Sequence, residues 1–346
     1  MITAHYKKYR LKFKFQALTS RGGMEFKNGY YLFLSDGKYT GIGECSFIEG
    51  LSIDDLENYE TALQQLCSYL ESGSSLPVPN LERFPSIKAG WEMAILDLAG
   101  KGTKILFESA FTRGISRIPI NGLIWMGTHD FMFQQLTQKL SEGFKCIKIK
   151  VGAIDFEDEI KLLEFIRQKF PLDVMEIRLD ANGAFKSTDV FEKLDLLSRF
   201  DIHSIEQPVK QGQIDLMKKV CANSPIPVAL DEELIDIKGL SNKELLELIV
   251  PQYIILKPSL LGGFAVCNDW ISLAAEQKIS WWVTSALESN IGLNAIAQWA
   301  FTKSESVVQG LGTGGLYIHN VSSPLYIQNG YLGYDPTKAW GVIEEN

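Results

Sequence analysis

The chain has 346 residues, of which 46% are hydrophobic and 22% are charged, and its formal net charge is −8. This composition is typical of a globular protein that is long enough for one large domain and a smaller one. The acidic balance argues against a nucleic-acid-binding protein, which usually carries a basic surface stripe. No apolar run approaches the ~20 residues of a membrane-spanning helix.

The N-terminus and the cysteines predict a cytoplasmic protein. The first residues, MITAHYKKYRLKFKF, lack the apolar core of a signal peptide and alternate as a β-strand does. The cysteines are scattered, odd in number and free of any CxxC pair, so we expect reduced, packed thiols and no zinc site. They are Cys45, Cys67, Cys146, Cys221 and Cys267.

Residues 1–115 predict an α+β capping domain in which strands precede helices. The segments YRLKFKF and NGYYLFLSDGKYTGIGEC are typical of antiparallel strands, with a hairpin at Asp36-Gly37. Helices are predicted near 54–72 and 86–101 from apolar residues at helical spacing. We expect the C-terminal tail, about 320–346, to join this domain.

Residues 116–319 alternate short apolar strands with amphipathic helices such as FEDEIKLLEFIRQKF. The first strand lies around 120–125. The other strand segments are CIKIKV, MEIRLD, IHSIE, PVALD, YIILK, WWVTS and VVQG. Eight βα units predict a parallel sheet that closes into a (β/α) barrel of the TIM type, a fold of the α/β class.

A polar residue or a glycine lies at or near the end of each strand after the first. Successive positions are separated by 25 to 30 residues, about one βα unit. In a (β/α) barrel the carboxyl ends of the strands form the active site, so residues distant in sequence converge there. The positions are Lys150, Asp180, Glu206, Asp231, Lys257, Ser285 and Gly310.

Three successive strand ends carry acids, which together predict a metal site. Converging carboxylates repel one another unless a cation neutralises them, and oxygen ligands suit Mg²⁺ or Mn²⁺. Asp180 and Glu206 are the first two ligands. The segment LDEE leaves the third open among Asp231, Glu232 and Glu233, and we choose Asp231 because it keeps the strand spacing. The competing interpretation is that one of these acids caps a helix or forms a salt bridge.

Two lysines interrupt the second strand, in the segment KCIKIKVG. Side chains alternate along a strand, so Lys148 and Lys150 point the same way. A neighbouring cation lowers the pKa of a lysine and allows it to act as a base. Lys257 comes from the far side of the barrel mouth. Bases on both sides of a metal-bound carboxylate suit removal of a proton next to that carboxylate.

The chain resembles the enolase superfamily over nearly its whole length. The pairing of KxK on the second strand with KP on the sixth is typical of the muconate-lactonizing subgroup, and here these motifs are KIK and LKP. Within that subgroup, RLDANGAF, IEQP, LKPSLLGGF and TSALESNIGLNAIAQWA are similar to the o-succinylbenzoate synthase family. The resemblance implies a modified barrel with a capping domain, a Mg²⁺ cofactor and a carbon–oxygen lyase activity.

The family's reaction removes water from 2-succinyl-6-hydroxy-2,4-cyclohexadiene-1-carboxylate and gives 2-succinylbenzoate for menaquinone synthesis. By resemblance, Lys150 is the base that takes the proton next to the carboxylate. The same lysine would protonate the departing hydroxyl, because the family's elimination is syn. Lys257 would face the substrate ring and stabilise the anionic intermediate. Lys148 would neutralise the substrate carboxylate and tune Lys150.

The resemblance also implies substrate contacts. Arg178 and Asn182 flank the first metal ligand, and they either orient it or touch the substrate. Ser285 matches the family's contact to the succinyl tail, and its alternative role is that of a helix N-cap. Arg21 and Leu51 are the candidate specificity residues of the capping segments TSRGGME and FIEGLSID.

The last strand argues against the dipeptide epimerases of the subgroup, which carry a pair of acids there. This chain has VVQGLGTGGLY at that position, with no acid and with Gly310 and Gly312 in the turn. The backbone N–H groups of a glycine-rich turn suit a carboxylate tail. We therefore expect a small dianionic carboxylate as the substrate.

Two alternatives stay open. A related Mg²⁺ enzyme on the same scaffold, such as an N-acylamino acid racemase, an epimerase or a cycloisomerase, could use Lys150 and Lys257 as opposed bases. The alternative of a different class is a non-catalytic barrel that binds a small acid. Such a protein would be expected to lose a lysine or a metal carboxylate, and here the full set is present.

Overall fold

The computed structural model describes residues 1–19, 22–73, 75–152, 154–237 and 239–343. Its N-terminal part is an antiparallel sheet in the order β1-β2-β3. The strands are Thr3–Thr19, Gly22–Ser35 and Thr40–Cys45. The hairpin expected between β2 and β3 is present, because Asp36 Oδ1 accepts hydrogen bonds from two backbone N–H groups and Gly37 has a left-handed φ of 88°.

Two helices, α1 (Tyr59–Glu71) and α2 (Pro85–Ala99), follow the sheet. Helix α1 begins later than the predicted residue 54, since the Asp54 carboxylate instead accepts hydrogen bonds from Ser86 in the first turn of α2. Helix α2 packs closely on β3. A Cβ at Gly43 would lie 1.8 Å from the backbone oxygen of Gly90, so only glycine permits this approach.

After a short strand, β4 (Ile118–Pro119), parallel strands β5 to β11 pair in chain order in the part of the chain that the structure describes. Parallel bridges from Gln309 to Ile120 and from Gly310 to Thr284 close the ring. Residues 309–310 are therefore the eighth strand, and the predicted barrel is confirmed. Strands β5 to β11 are Gly122–Ile124, Cys146–Lys150, Glu176–Asp180, Ser204–Glu206, Val228–Leu230, Tyr253–Leu256 and Ser280–Val283.

Helices α3 to α10 connect these strands and cover the outside of the barrel. A short 3₁₀ helix, Glu232–Leu234, follows β9. The α-helices are His129–Ser141, Phe156–Lys169, Val190–Ser198, Ile214–Asn223, Asn242–Ile249, Pro258–Leu261, Phe264–Glu276 and Asn290–Lys303. None of the helices in the described ranges has the length and apolar character that crossing a membrane requires.

One buried acid joins the N-terminal sheet to the barrel. Glu44 on β3 is fully buried, and its carboxylate accepts hydrogen bonds from Ser289 N–H (2.7 Å), Ser289 Oγ (2.5 Å) and Gly292 N–H (2.8 Å) at the start of α10. Tyr9 Oη donates a further bond of 2.5 Å from β1. The acid therefore caps a barrel helix from the other domain.

The C-terminal tail contacts both parts of the molecule. Strands β12 (Leu325–Gln328) and β13 (Tyr331–Tyr334) form a hairpin, and β13 pairs with β4 beside the barrel. Further along, Trp340 packs against the cluster of Tyr31 and Phe33 in the N-terminal sheet. The domain boundaries at residues 115 and 319 stay a prediction.

Candidate active site

The carboxyl ends of the barrel strands surround a cavity of about 300 Å³. Strands β6, β7 and β8 are aligned so that Lys150 lies beside Asp180, and Asp180 lies beside Glu206. Lys148 and Lys150 both reach the cavity, as their alternation along β6 predicts. The predicted site residues that line it are Lys148, Lys150, Asp180, Asn182, Lys257, Ser285, Gly310 and Gly312.

Lys148 bridges the first two predicted metal ligands. Its Nζ lies 2.9 Å from Asp180 Oδ2 and 2.5 Å from Glu206 Oε2, and the side chain is buried. Burial lowers the pKa of this ammonium, but attraction to Asp180 and Glu206 outweighs burial, so the pKa lies above its ordinary value. Lys148 therefore supplies a fixed positive charge.

Lys150 has a different environment although it lies only two residues further on the same face. Its Nζ donates a 2.5 Å hydrogen bond to Asn182 Oδ1, and it lies 3.3 Å from Asp180 Oδ2 and 5.5 Å from the centre of the Trp125 ring. Burial lowers the pKa of Lys150, Asp180 opposes this, and the two neighbouring lysines lower the pKa further. A lowered pKa is what a lysine base requires.

Lys257 faces Lys150 across the cavity, because β10 and β6 are four positions apart in the ring of eight strands. Its Nζ donates a hydrogen bond to Asp231 Oδ2. Burial lowers the pKa of Lys257, but attraction to Asp231 and Glu232 outweighs burial and raises the pKa above its ordinary value. The cavity thus has a lysine with a lowered pKa on one side and a lysine with a raised pKa on the other.

Three neighbouring acids are the candidates for the third metal ligand, and the structure separates them. Glu233 accepts hydrogen bonds from Gln207 Nε2 and from a backbone N–H, each of 2.9 Å, so its carboxylate is occupied. Glu232 accepts a bond of 3.1 Å from Asn182 Nδ2. Asp231 pairs with a lysine through one oxygen only. The contacts thus set Glu233 apart, and between the other two acids we retain Asp231 because it keeps the strand spacing.

Two of the predicted ligands keep a carboxylate oxygen for a cation. Glu206 Oε1 and Asp231 Oδ1 are buried, and neither has a hydrogen-bond partner among the described residues. Burial raises the pKa of Glu206 to about 7, with Lys148 opposing the rise and the nearby acids adding to it. A divalent cation would satisfy both oxygens and hold the carboxylates ionised. The donor set fits Mg²⁺ or Mn²⁺.

The carboxylates are nevertheless arranged around lysines. Within residues 1–343, apart from the few positions left undescribed, no three His, Cys, Asp or Glu side chains form a group that could hold a metal ion. Lys148 forms salt bridges with one carboxylate oxygen of Asp180 and one of Glu206, and Lys257 forms a salt bridge with one oxygen of Asp231. Joint binding of a metal by the three acids stays a prediction.

Ser285 lines the cavity and is not a helix cap. The N-cap of α10 is Ser289, whose side chain accepts a hydrogen bond from the N–H of Ile291. Ser285 Oγ lies 2.6 Å from Thr313 Oγ1, which also lines the cavity. The alternative role considered for Ser285 can therefore be set aside.

Arg178 lies two residues before Asp180 on β7 and does not line the cavity. Its guanidinium donates to Glu176 Oε1 (2.7 Å) and to the Val308 backbone oxygen (3.0 Å). It also lies 4.3 Å from the centre of the Trp282 ring. These contacts of Nε and Nη1 favour the orienting role over the substrate contact, which stays a prediction.

Most of the uncharged lining of the cavity, apart from Ser285, Gly310 and Gly312, was not predicted residue by residue. Part of it was detectable, since Asn121, Leu123 and Trp125 alternate along the first strand as the two lysines do along the second. The capping residues follow no such period. Leu51 lines the cavity as predicted, and Arg21 lies outside the described residues. The lining residues that were not named individually are Gly22, Gly23, Met24, Ile48, Glu49, Asn121, Leu123, Trp125, Thr284, Leu287 and Thr313. The first five of them lie in the two capping segments predicted to set specificity.

Comparison with known proteins gives consistent results. An o-succinylbenzoate synthase of Desulfotalea psychrophila is 44% identical over 362 aligned positions, which cover 95% of this chain and 98% of that protein. The crystal structure of MenC from Desulfotalea psychrophila LSv54 has a TM-score of 0.86 at 42% identity and covers 96% of this chain and 99% of its own. The muconate lactonizing enzyme of Pseudomonas fluorescens shares the fold, with a TM-score of 0.80 at 19% identity over 99% and 97% of the two chains.

The barrel region also matches a general family description. Residues 132–337 match the family model described as enolase C-terminal domain-like. An N-succinyl-L-Arg/Lys racemase of Bacillus cereus is 24% identical over 63% of this chain and 59% of its own length. Together, the family match and the 44% identical relative show that the chain belongs to the enolase superfamily, in the muconate-lactonizing subgroup and its o-succinylbenzoate synthase family.

Proposed function

We propose that the chain is a hydro-lyase that converts 2-succinyl-6-hydroxy-2,4-cyclohexadiene-1-carboxylate to 2-succinylbenzoate, a step of menaquinone biosynthesis. The observation that carries the proposal is the pair of lysines with opposite pKa shifts, Lys150 and Lys257, on opposite sides of one cavity. The 44% identity with an o-succinylbenzoate synthase over nearly all of both chains supports the same reaction.

In this reaction Lys150 takes the proton from the carbon next to the ring carboxylate. Its lowered pKa makes the neutral amine available as a general base. The hydrogen bond to Asn182 and the contact with Trp125 hold Nζ at the cavity wall. In a syn elimination the hydroxyl leaves from the face that lost the proton. The Lys150 ammonium formed in the first step therefore protonates the hydroxyl, and water departs.

The other two lysines act as cations. Lys257 lies across the cavity and stabilises the negative charge that develops in the substrate ring, an effect that is realised mainly in the transition state. Lys148 neutralises the ring carboxylate and keeps a positive field beside Lys150. Its salt bridges to Asp180 and Glu206 fix its position.

Asp180, Glu206 and Asp231 would hold the Mg²⁺ of this family, or Mn²⁺ in its place. The buried oxygens of Glu206 and Asp231 described above support this assignment. When bound, the cation neutralises the ring carboxylate and makes the neighbouring C–H more acidic. The chain's own contribution is a rigid set of oxygen donors, held at three adjacent strand ends.

The lining of the cavity suits a small substrate with two carboxylates. Three lysines line it, whereas Asp180 and the exposed Glu49 are the acids among its described lining residues. Ser285, Gly310 and Gly312 line the same cavity, which supports their assignment as contacts of the succinyl tail. A cytoplasmic location is supported by the five cysteines, which are free and buried as expected in a reducing compartment.

A proton NMR assay tests the proposed function. The purified chain is given the cyclohexadiene substrate in one experiment and an N-succinyl amino acid in deuterated water in another, each with and without Mg²⁺. We expect Mg²⁺-dependent appearance of the aromatic protons of 2-succinylbenzoate. Absence of that product at high enzyme concentration, in a preparation shown to be folded, would contradict the proposal.

Racemisation of N-succinyl amino acids is the second candidate. It needs one base on each face of the substrate, and Lys150 and Lys257 lie on opposite sides of the cavity. The similarity to an N-succinyl-L-Arg/Lys racemase points the same way. Exchange of the α-proton for deuterium, without any dehydration in the first experiment, would favour this candidate over the dehydratase.

A further inference from the structure

Two buried polar atoms in the cavity wall lack a hydrogen-bond partner among the described residues. Asn121 is 4% exposed, and both its Oδ1 and Thr284 Oγ1 are buried. Neither oxygen has a hydrogen-bond partner in the part of the chain that the structure describes. In folded proteins roughly nine in ten buried polar groups are paired. Both residues line the cavity, so a bound ligand is the natural source of the missing bonds.

Asn121 and Thr284 lie on the two sides of the eighth strand, where the barrel closes. The residue before Asn121 pairs with Gln309, and Thr284 pairs with Gly310. Glycine keeps the space between them open, because a Cβ at Gly310 would lie 2.5 Å from Thr284 Oγ1. A Cβ at Gly312 would lie 3.4 Å from the Asn121 backbone oxygen. We call these four residues, Asn121, Thr284, Gly310 and Gly312, the seam.

The seam is uncharged, unlike the wall opposite. The lining residues of β6, β7 and the end of β10 carry ammonium and carboxylate groups, whereas the seam offers an amide, a hydroxyl and backbone. The bonded hydroxyls of Ser285 and Thr313 continue this neutral surface. Both walls border the same cavity, so a substrate whose ring carboxylate is held at the lysines can place its other end at the seam.

Neutral donors bind a carboxylate through hydrogen bonds. The Thr284 hydroxyl is a donor, and the Asn121 amide carries two N–H donors that a half-turn of the amide brings to the position of Oδ1. Bonds to an ionised acceptor are roughly twice as strong as those between neutral groups. A donor on each side of an open glycine fits the two oxygens of one carboxylate better than a single keto oxygen.

We propose that Asn121 and Thr284 determine substrate specificity by binding the terminal carboxylate of the succinyl tail, an assignment that rests on the proposed function. Each side chain donates one hydrogen bond to that carboxylate. A tail that ends in an uncharged group leaves both side chains buried without partners, and the site rejects it.

Binding measurements with two ligands test this assignment without relying on turnover. Calorimetry gives the Kd of 2-succinylbenzoate and of 2-butyrylbenzoate, in which a methyl group replaces the tail carboxylate, for the full chain in Mg²⁺. The variants are Asn121→Leu and Thr284→Val, both close in shape to the native residue. We expect each to raise the Kd of 2-succinylbenzoate at least ~10-fold and that of 2-butyrylbenzoate by less than ~2-fold.

Thr112→Val is the matched control, since Thr112 is buried, its hydroxyl bonds Ser109 and it does not line the cavity. It should change neither Kd. An equal rise for both ligands in Thr284→Val, or no rise for either, would overturn the assignment, and this variant decides the question if Asn121→Leu does not fold. An NMR assay of the wild-type chain distinguishes failure of this assignment from failure of the proposed function. If the wild-type chain dehydrates the substrate but Thr284→Val raises the Kd of both ligands equally, only the role of the seam is refuted. If the wild-type chain neither dehydrates the substrate nor binds 2-succinylbenzoate, the proposed function is refuted.

Discussion

The cavity wall formed by β6, β7 and the end of β10 presents three lysines and Asp180, whereas the wall formed by β5, β11 and the eighth strand presents an amide, hydroxyls and glycines. In the first wall the charges neutralise one another in salt bridges, so each group is fixed by its neighbours. In the second wall polar atoms stay available for a ligand. The groups that carry out the reaction and the neutral groups that bind the substrate therefore lie on different strands of one barrel. Changes at the two lysines that take part in the chemistry, Lys150 and Lys257, should lower kcat, whereas changes at residues that bind the substrate, Lys148 included, should raise KM.

Removal of the metal should have the largest effect on the charged wall. Dialysis against EDTA should abolish turnover, and added Mg²⁺ should restore it, because the buried oxygens of Glu206 and Asp231 lose the cation that compensates them. Initial rates before and after dialysis measure this. Full activity in a preparation shown by elemental analysis to be free of metal would refute the metal site.

Lys150→Ala removes the proton acceptor and should lower kcat by at least ~10³, the scale that loss of a general base reaches. In the wild-type chain, kcat/KM should fall as the pH drops through the pKa of Lys150, because the protonated amine cannot accept a proton. Steady-state kinetics across pH measure both effects. Lys145→Ala is the matched control, since Lys145 is exposed and lies just before the same strand. It should change neither kcat nor the pH dependence of kcat/KM.

Lys257→Ala should lower kcat by ~10² while substrate still binds, because this lysine stabilises charge that develops during the reaction. The Kd of 2-succinylbenzoate, measured beside kcat, separates the two effects. Lys257→Arg keeps the positive charge and should recover part of the rate. If Lys150→Ala kept normal turnover while Lys257→Ala lost the acid limb of the pH profile, the base would be Lys257 and our assignment would be wrong.

Lys148→Ala should raise KM by ~10-fold and leave measurable turnover, since it removes a charge that binds the substrate carboxylate but not the base itself. Lys148 also lowers the pKa of Lys150. Without it that pKa rises, so the acid limb of kcat/KM should move to higher pH. A limb that stays in place would show that the two lysines are not coupled.

The smallest effect is expected in the capping domain. Leu51 lines the cavity and packs against Leu260 and Ala286 of the barrel, so Leu51→Ala should raise KM by ~5-fold with little change in kcat. Leu56→Ala is the control, because Leu56 is exposed and does not line the cavity. If kcat in Leu51→Ala fell by as large a factor as KM rises, Leu51 would contribute to the chemical step as well as to binding.

The sequence predicts the charged wall well, for a physical reason. Parallel βα units have similar lengths, so residues at strand ends recur at a regular interval and meet at one edge of the barrel. Lys150, Asp180 and Lys257 were found from this spacing and lie in one cavity. The spacing does not show which of Lys148 and Lys150 is the base, because their pKa values depend on which carboxylate each ammonium contacts in the folded chain.

Other features depend on contacts that no local pattern encodes. Arg178 follows the same alternation as Asp180, yet Glu176 and a distant backbone oxygen hold its guanidinium away from the cavity. The capping segments were recognised as specificity loops, but the inward positions of Met24 and Ile48 follow from how two domains pack. Register within one strand is readable from sequence, whereas the docking of a loop on another domain is not.

The Glu44 carboxylate accepts hydrogen bonds from the first turn of helix α10 in the neighbouring domain, and this contact has a consequence for folding. Three of the donors that it satisfies belong to the barrel, while the acid itself belongs to the sheet. Separation of the two parts would remove the hydrogen bonds from Ser289 and Gly292 to the Glu44 carboxylate and leave it the bond from Tyr9. It would also take a negative charge away from the first turn of α10, and both losses oppose independent folding. The two domains should therefore melt as one cooperative unit, and in a barrel cut free at its first strand the first turn of α10, a few residues from Ser285, should be less stable.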